Sequence, residues 1–365
     1  MEESSRVEKR LAELVAFDTR NPGGDERALA EKLARDLTAL GARTAEVFAS
    51  AGHHSTFARF GAQDPTLILN AHIDTVLANA GYSADPHQLV RRGGRLHGLG
   101  SADTKGAIAA ILEALSQRQE AGSVPGGLAV LFSGDEELGG ACMHDFLASG
   151  RSRGLLRAIV CEPTGCRVGI RHRGVYAARI GANSPGGHSS LVESVPNPLT
   201  ALARAAVALD DLGVRCRDLG PTGLRGLCMN IAALDGGMAF NIIPARAALT
   251  FSMRPAPGVD LGTVLEQARD AVRIAAAPLD THWEDIAANP AFETRDLARF
   301  APLLGDRAQS PVDLPFGTEA GQFIERGIDA VVLGPGRVEQ AHKADEYVAL
   351  DELEEAVRVF LQVIR

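Results

Sequence analysis

The 365-residue chain is 45% apolar and 23% charged, with a formal net charge of −9, which excludes a largely disordered or fibrous protein and favours an ordinary globular enzyme. The acidic balance, without a basic stripe carrying interleaved aromatics, excludes a general nucleic-acid binder. MEESSRVEKR, the first ten residues, holds acids and no apolar core, and no run of about 18 apolar residues occurs, so a cytoplasmic protein without membrane contact is expected.

A chain of this length exceeds what one hydrophobic core usually serves, and two domains are expected. Residues 5–17 and 25–41 show helical periodicity, the second with an acidic start and a glycine stop. TLILNAHIDTV (66–76) reads as a strand, 104–119 as a helix, 127–134 as a strand, 141–150 as a helix and 157–164 as a strand. That alternation predicts an α/β sheet flanked by helices. From residue 174 the rhythm becomes strand (174–182), helix (197–212), strand (226–234), strand (244–254), helix (260–276) and a short strand near 281–287. This β-α-β-β-α-β order is the ferredoxin-like pattern, read as an α+β domain at 176–285 inserted between 1–175 and 286–365. Helix and strand signals resume with GTEAGQFIERG and DAVVLGPG, and an amphipathic helix closes the chain.

The chemistry-bearing residues follow apolar strands. LFSGDEELGG places Asp135, Glu136 and Glu137 in a row after a buried run, where like charges repel and resist desolvation. Such a run is ordinarily a solvated turn. His72 and Asp74 leave one face of their strand, as a metal-bound imidazole and a carboxylate that orients it or steers the attached loop would. Asp103 lies in GLGSADTKG, where a helix N-cap or a phosphate-binding turn is the competing reading. Glu162 in VCEPT and His342 in GPGRVEQAHKADEYV complete the set. Each alone suits a structural role. The carboxyl ends of strands in an open α/β sheet converge on one crevice, so residues spread over about 270 positions can meet. Two imidazoles and three carboxylates fit a pair of zinc ions roughly 3.5 Å apart, one carboxylate bridging, with one glutamate left for proton transfer. Five cysteines (142, 161, 166, 216 and 228) without Cys-x-x-Cys spacing suit reduced, mostly buried thiols. A metal here would therefore use histidine and carboxylate.

NAHIDTV, GLGSADTKGAIAA, SGDEELGG, CEPT, GGHSS, NIIPA and GPGRVEQAHKADEYV together resemble the co-catalytic zinc amidohydrolases and metallopeptidases, the family of acetylornithine deacetylase, succinyl-diaminopimelate desuccinylase and glutamate carboxypeptidase. The resemblance covers nearly the whole chain. It implies a zinc-peptidase-like mixed sheet with an inserted ferredoxin-like dimerisation or lid domain. It further implies His72 and Glu162 on one zinc, Glu137 and His342 on the other, Asp103 bridging, Glu136 as general base and Asp74 beside His72, with cobalt able to substitute. A cis peptide is implied between Asp103 and Thr104, where many relatives carry Met or another residue in place of Thr104. Asn241, Arg254, Gly317 and Thr318 become ligands of a substrate carboxylate, and His188 reaches the partner's active site in a homodimer to stabilise the oxyanion. Glu319-Ala320 after Thr318 departs from the Ser-Asp usual in desuccinylases and resembles acetylornithine deacetylases and their N-acetylcitrulline-hydrolysing relatives. The expected activity is hydrolysis of N-acetyl-L-ornithine to acetate and L-ornithine, a step of arginine biosynthesis. Alternatives are N-acetylcitrulline, a zinc dipeptidase or glutamate-type carboxypeptidase on the same scaffold, and a non-catalytic metal-binding protein.

Overall fold

The computed structural model describes residues 4–123 and 125–365. Two compact units divide it, one ending at Arg171 and resuming at Glu293–Arg365, the other His172–Phe292.

The first unit is built on a nine-stranded sheet. Thr44–Ser50 and His53–Phe60 form an antiparallel hairpin at one edge, followed in space by Leu128–Ser133, Leu67–His72, Arg157–Val160, Asp329–Val332, Gly169–His172 and Phe292–Glu293; Val312–Asp313 pairs with Gly169–His172. Leu67–His72 runs parallel to both Leu128–Ser133 and Arg157–Val160, and Asp329–Val332 runs parallel to Arg157–Val160. Every residue of Leu67–His72 and Leu128–Ser133 is buried, the pattern of parallel strands covered on both faces. Helices Arg6–Val15, Glu26–Ala39, Lys105–Glu120 and Leu350–Val363 contribute Leu11, Leu33, Ile111 and Phe360 to one core with Val130, Phe132 and Val331. Ser5 and Asp25 accept backbone N–H groups at the starts of the first two helices, satisfying donors that a helix cannot use internally. Because four parallel strands end on one edge, the segments after His72, Ser133, Val160 and Val332 emerge together there.

The second unit is a four-stranded antiparallel sheet in the order Asn230–Gly236, Arg246–Met253, Val175–Asn183, Thr281–Asn289. Helices Pro198–Arg215 and Leu261–Ala276 supply Leu202, Leu209, Val264 and Val272 to a core with Ile180, Leu249 and Phe251. Its last strand bulges between Asp285 and Ala287 and then continues, pairing Asn289 with Val175. Gly187–His188 pairs with Ile242–Ile243 in a separate two-stranded ribbon. Among the described residues, no helix is long and apolar enough to cross a membrane.

Candidate metal centre

His72 is the last residue of its strand and is 1% exposed. Its backbone N–H bonds the Thr104 hydroxyl, which in turn donates to the His72 carbonyl at 2.8 Å. Nδ1 lies 2.9 Å from the Asp74 carbonyl oxygen. A carbonyl only accepts, so Nδ1 carries a proton and Nε2 faces the cluster. Nε2 is 2.9 Å from Asp103 Oδ1 and 4.0 Å from Glu162 Oε1. On the other side of Asp103, Oδ2 lies 3.2 Å from His342 Nε2, which is also 3.1 Å from Glu137 Oε1. The Asp103–Thr104 peptide is cis.

Asp74 does more than face His72. Its Oδ1 lies 3.5 Å from the imidazole, and the carboxylate accepts the backbone N–H groups of Glu136 and Glu137, each at 3.1 Å. Two neighbours in the acidic run 135–137 are thus fixed by one buried acid. The third, Asp135, has a φ of 66° and turns inward, accepting Ala141 N at 2.9 Å and Asn21 Nδ2 at 3.4 Å. The adjacent glutamates differ at their carboxylates: Glu137 is bound to His342, whereas the Glu136 carboxylate has no hydrogen-bond or ion-pair partner among the described residues.

Charge explains why these groups need a cation. Burial, followed by the negative charges of Glu137 and Glu319, pushes the Glu136 carboxyl well above the usual range, with His72 opposing. Glu162 is raised well above it by burial, again against His72, with Asp103 and Glu136 adding repulsion. Burial also raises Glu137, partly offset by its hydrogen bond to His342. Burial alone would lower His72, yet hydrogen bonds to Asp103 and Asp74 hold it well above the histidine range. Hydrogen bonds to Asp103 and Glu137 raise His342 to about 10. Protons therefore stand where positive charge is demanded. His72, Asp103 and Glu137 each offer one ligand atom within 4.8 Å of the others. Imidazole nitrogens and carboxylate oxygens in this arrangement suit divalent transition ions such as zinc.

Gly317 and Thr318 belong to the same unit; Thr318 is buried, and its hydroxyl accepts Ala320 N at 3.1 Å at the start of helix Ala320–Glu325. Next to it, the buried Glu319 accepts Ser133 Oγ at 2.7 Å and Asn70 Nδ2 at 2.9 Å, and burial raises it to about 7. His188, Asn241 and Arg254 lie in the second unit. His188 Nδ1 is 3.2 Å from the Ser190 N–H and 2.8 Å from its hydroxyl, so Nδ1 accepts and Nε2–H remains a donor. Ser189 N donates to the Asn241 carbonyl at 3.0 Å, placing His188 and Asn241 on one exposed ribbon. Arg254 is exposed, and its guanidinium forms no ion pair among the described residues.

Sequence reasoning passed over Asn21, Asn70 and Glu346. Each is a single polar residue in a loop or strand that apolar periodicity does not mark. For Glu346 the sequence does carry a signal, the second acid of HKADEYV, four residues after His342.

A parallel sheet edge carrying such an imidazole–carboxylate cluster defines a metal-dependent hydrolase of the α/β class. The chain belongs to peptidase family M20/M25/M40, whose model matches residues 68–365. It is 34% identical over 373 residues to the N-acetyl-L-citrulline deacetylase of Xanthomonas campestris pv. campestris, covering 97% of this chain and 96% of that one. The acetylornithine deacetylase of Pasteurella multocida is 29% identical, covering 89% and 87%. Among solved structures, an M20 family metallo-carboxypeptidase from Sulfolobus solfataricus shares the fold with a TM-score of 0.81 at 17% identity, covering 99% of both chains. A dinuclear metal binding peptidase of Bacillus subtilis gives 0.72 at 14% identity, over 98% and 96%.

Proposed function

We propose that this chain hydrolyses the amide of an N-acetyl amino acid with a ureido or amino side chain, N-acetyl-L-ornithine or N-acetyl-L-citrulline, to acetate and the free amino acid. The convergence of His72, Asp103, Glu137, Glu162 and His342 carries this reading. His72 and Glu162 would hold one zinc ion and Glu137 and His342 the other, with Asp103 available to both; cobalt could take the place of zinc. When bound, the ions lower the pKa of a water and polarise the scissile carbonyl. Glu136, with its carboxylate free of protein partners, takes the proton from the attacking water and returns it to the leaving amine nitrogen. Asp74 fixes the His72 ring and the backbone of both glutamates. Asn241, Arg254, Gly317 and Thr318 grip the substrate carboxylate, Arg254 through a planar fork that matches two oxygens.

The His172–Phe292 unit is the dimerisation and lid domain in this reading. Its sheet has two open edges, and Met238 and Phe240, beside Asn241, are 90% and 99% exposed, features with physical reason to pair. His188 then supplies a donor to the oxyanion in the partner's site.

Acetate release from zinc-loaded protein, measured across N-acyl amino acids and dipeptides, tests the proposal. N-acetylornithine or N-acetylcitrulline should be preferred, and chelation should stop turnover until zinc or cobalt is returned. Preference for dipeptides would replace the reading with that of a peptidase, and metal-independent release would overturn it.

A further inference from the structure

Glu346 is 2% exposed and stands four residues beyond His342. Its Oε2 accepts the Gly100 N–H at 2.9 Å, while Oε1 accepts those of Ala102 at 2.8 Å and Asp103 at 3.1 Å. The backbone is tied in the same place, since Gly98 N donates to the Glu346 carbonyl at 3.0 Å. Neighbouring residues repeat the connection. Asp345 Oδ1 accepts the N–H and hydroxyl of Ser83, both at 2.9 Å, the Asp345 carbonyl lies 2.9 Å from His97 Nδ1, and Asn79 Nδ2 donates to the His342 carbonyl. Residues 342–346 are thus fastened along 79–103, and one buried carboxylate gathers three amides of the loop that ends in Asp103.

Three converging amides form a cradle for an anion, and bonds to an ionised acceptor are short and strong. Gly100, at a φ of 77°, makes the turn that brings its own N–H into the cradle, and a Cβ there would lie 2.7 Å from Thr75 Cγ2. The loop is therefore held from behind as well as from the side.

We propose that Glu346 is a positioning residue: by fastening the Asp103 loop to the segment that carries His342, it fixes these two side chains against each other and sets the affinity of the metal centre. This rests on the reading of Asp103 and His342 as metal ligands. Residues that orient ligands without touching the ion typically govern about 10–100-fold in metal affinity. Glutamine at 346 can accept amides through only one of its two terminal atoms and turns an NH₂ against the remaining donors. Aspartate keeps the charge but is one methylene too short to reach all three.

Zinc affinity is measured by competition with a chromophoric chelator on the metal-free full chain, with circular dichroism and metal-free melting to verify folding. Five proteins are compared: the unmodified chain, Glu346→Gln, Glu346→Asp, Asp103→Asn, and Glu352→Gln, which removes the Arg337 partner elsewhere on the C-terminal segment. Glu346→Gln and Glu346→Asp should each lose about 10–100-fold in zinc affinity while remaining folded without metal, and Glu352→Gln should lose none. Restoration of full affinity by Glu346→Asp would show that charge alone suffices and would overturn the positioning role. So would a folded Glu346→Gln that binds zinc normally while Asp103→Asn does not, an outcome that leaves the ligand reading intact. Unchanged zinc binding in Asp103→Asn would overturn the ligand reading, and the role of Glu346 with it. If Glu346→Gln does not fold, a folded Glu346→Asp decides: a tenfold or larger loss supports the proposal and unchanged affinity overturns it.

Discussion

Glu136 and Glu137 share a turn and an anchoring acid, and they differ only in what their carboxylates meet. Glu137 is drawn to His342 at 3.1 Å, while Glu136 is left without a partner. Removing the charge of Glu136 should therefore leave the metals in place. Glu136→Gln is expected to keep two zinc ions per chain by elemental analysis and to lose at least the roughly 10²–10⁴-fold that general base catalysis contributes. Glu137→Gln is expected to lose metal instead. An active, fully loaded Glu136→Gln protein would refute the assignment of Glu136 as the base. At this scale much of the cluster is legible in the sequence, because His72 ends an apolar strand and Glu136, Glu137 and Glu162 follow others. Asn21 and Asn70 reach the site from a loop and from a strand interior. Nothing local in their surroundings distinguishes them from ordinary polar residues.

The strand Leu128–Ser133 carries that turn and lies between His53–Phe60 and Leu67–His72. Phe132 within it is fully buried in the main core. Phe132→Ala should reduce unfolding stability by about 3–5 kcal/mol, the transfer and cavity terms for a large buried ring. Denaturant unfolding with an unchanged slope checks this, and a loss under about 1 kcal/mol would mean that the core closes over the gap. The parallel strands were legible as continuous apolar runs, and the helices through their periodicity. The hairpin of Thr44–Ser50 and His53–Phe60 was not. It forms one edge of the sheet, Thr44 and Glu46 are exposed, and the turn at Ala51-Gly52 lacks the Asn-Gly or Asp-Gly signal of a tight hairpin. Val90–Arg92, Arg95–His97 and Tyr347–Ala349 are three residues each; the first two form a short hairpin, and Tyr347–Ala349 joins Arg95–His97 from about 250 positions away. No local window contains such pairing.

For the molecule as a whole, the proposed dimer makes a prediction that a monomer cannot meet. A twofold axis presents the same ribbon to both active sites. His188→Ala should fold, dimerise and hold zinc yet lose on the order of 10²–10³-fold in kcat, as loss of an oxyanion donor does. Mixing it with inactive Glu136→Gln creates heterodimers in which one site combines an intact Glu136 with the intact His188 of the other chain. Up to half the normal activity per heterodimer should return after subunit exchange. Proven exchange without recovery would place His188 in its own chain's site or outside catalysis. The α/β and β-α-β-β-α-β patterns were visible in the sequence, whereas the bulge at Asp285 and the pairing of Asn289 with Val175 were not, because periodicity does not encode them.

Asp329–Val332 lies between Arg157–Val160 and Gly169–His172, although nearly half the chain separates it from the first of these. A ribosome therefore completes one side of the sheet and then makes the whole second unit before the missing central strand emerges. At about 5–20 residues per second this interval lasts roughly ten to thirty seconds. Throughout it the Val160 strand keeps an unpaired edge of the kind that recruits foreign strands. His342 emerges later still, so its contacts with Asp103 and Glu137 close only after that strand has been added, and newly made chains pass through a period in which a chaperone has an open sheet to protect.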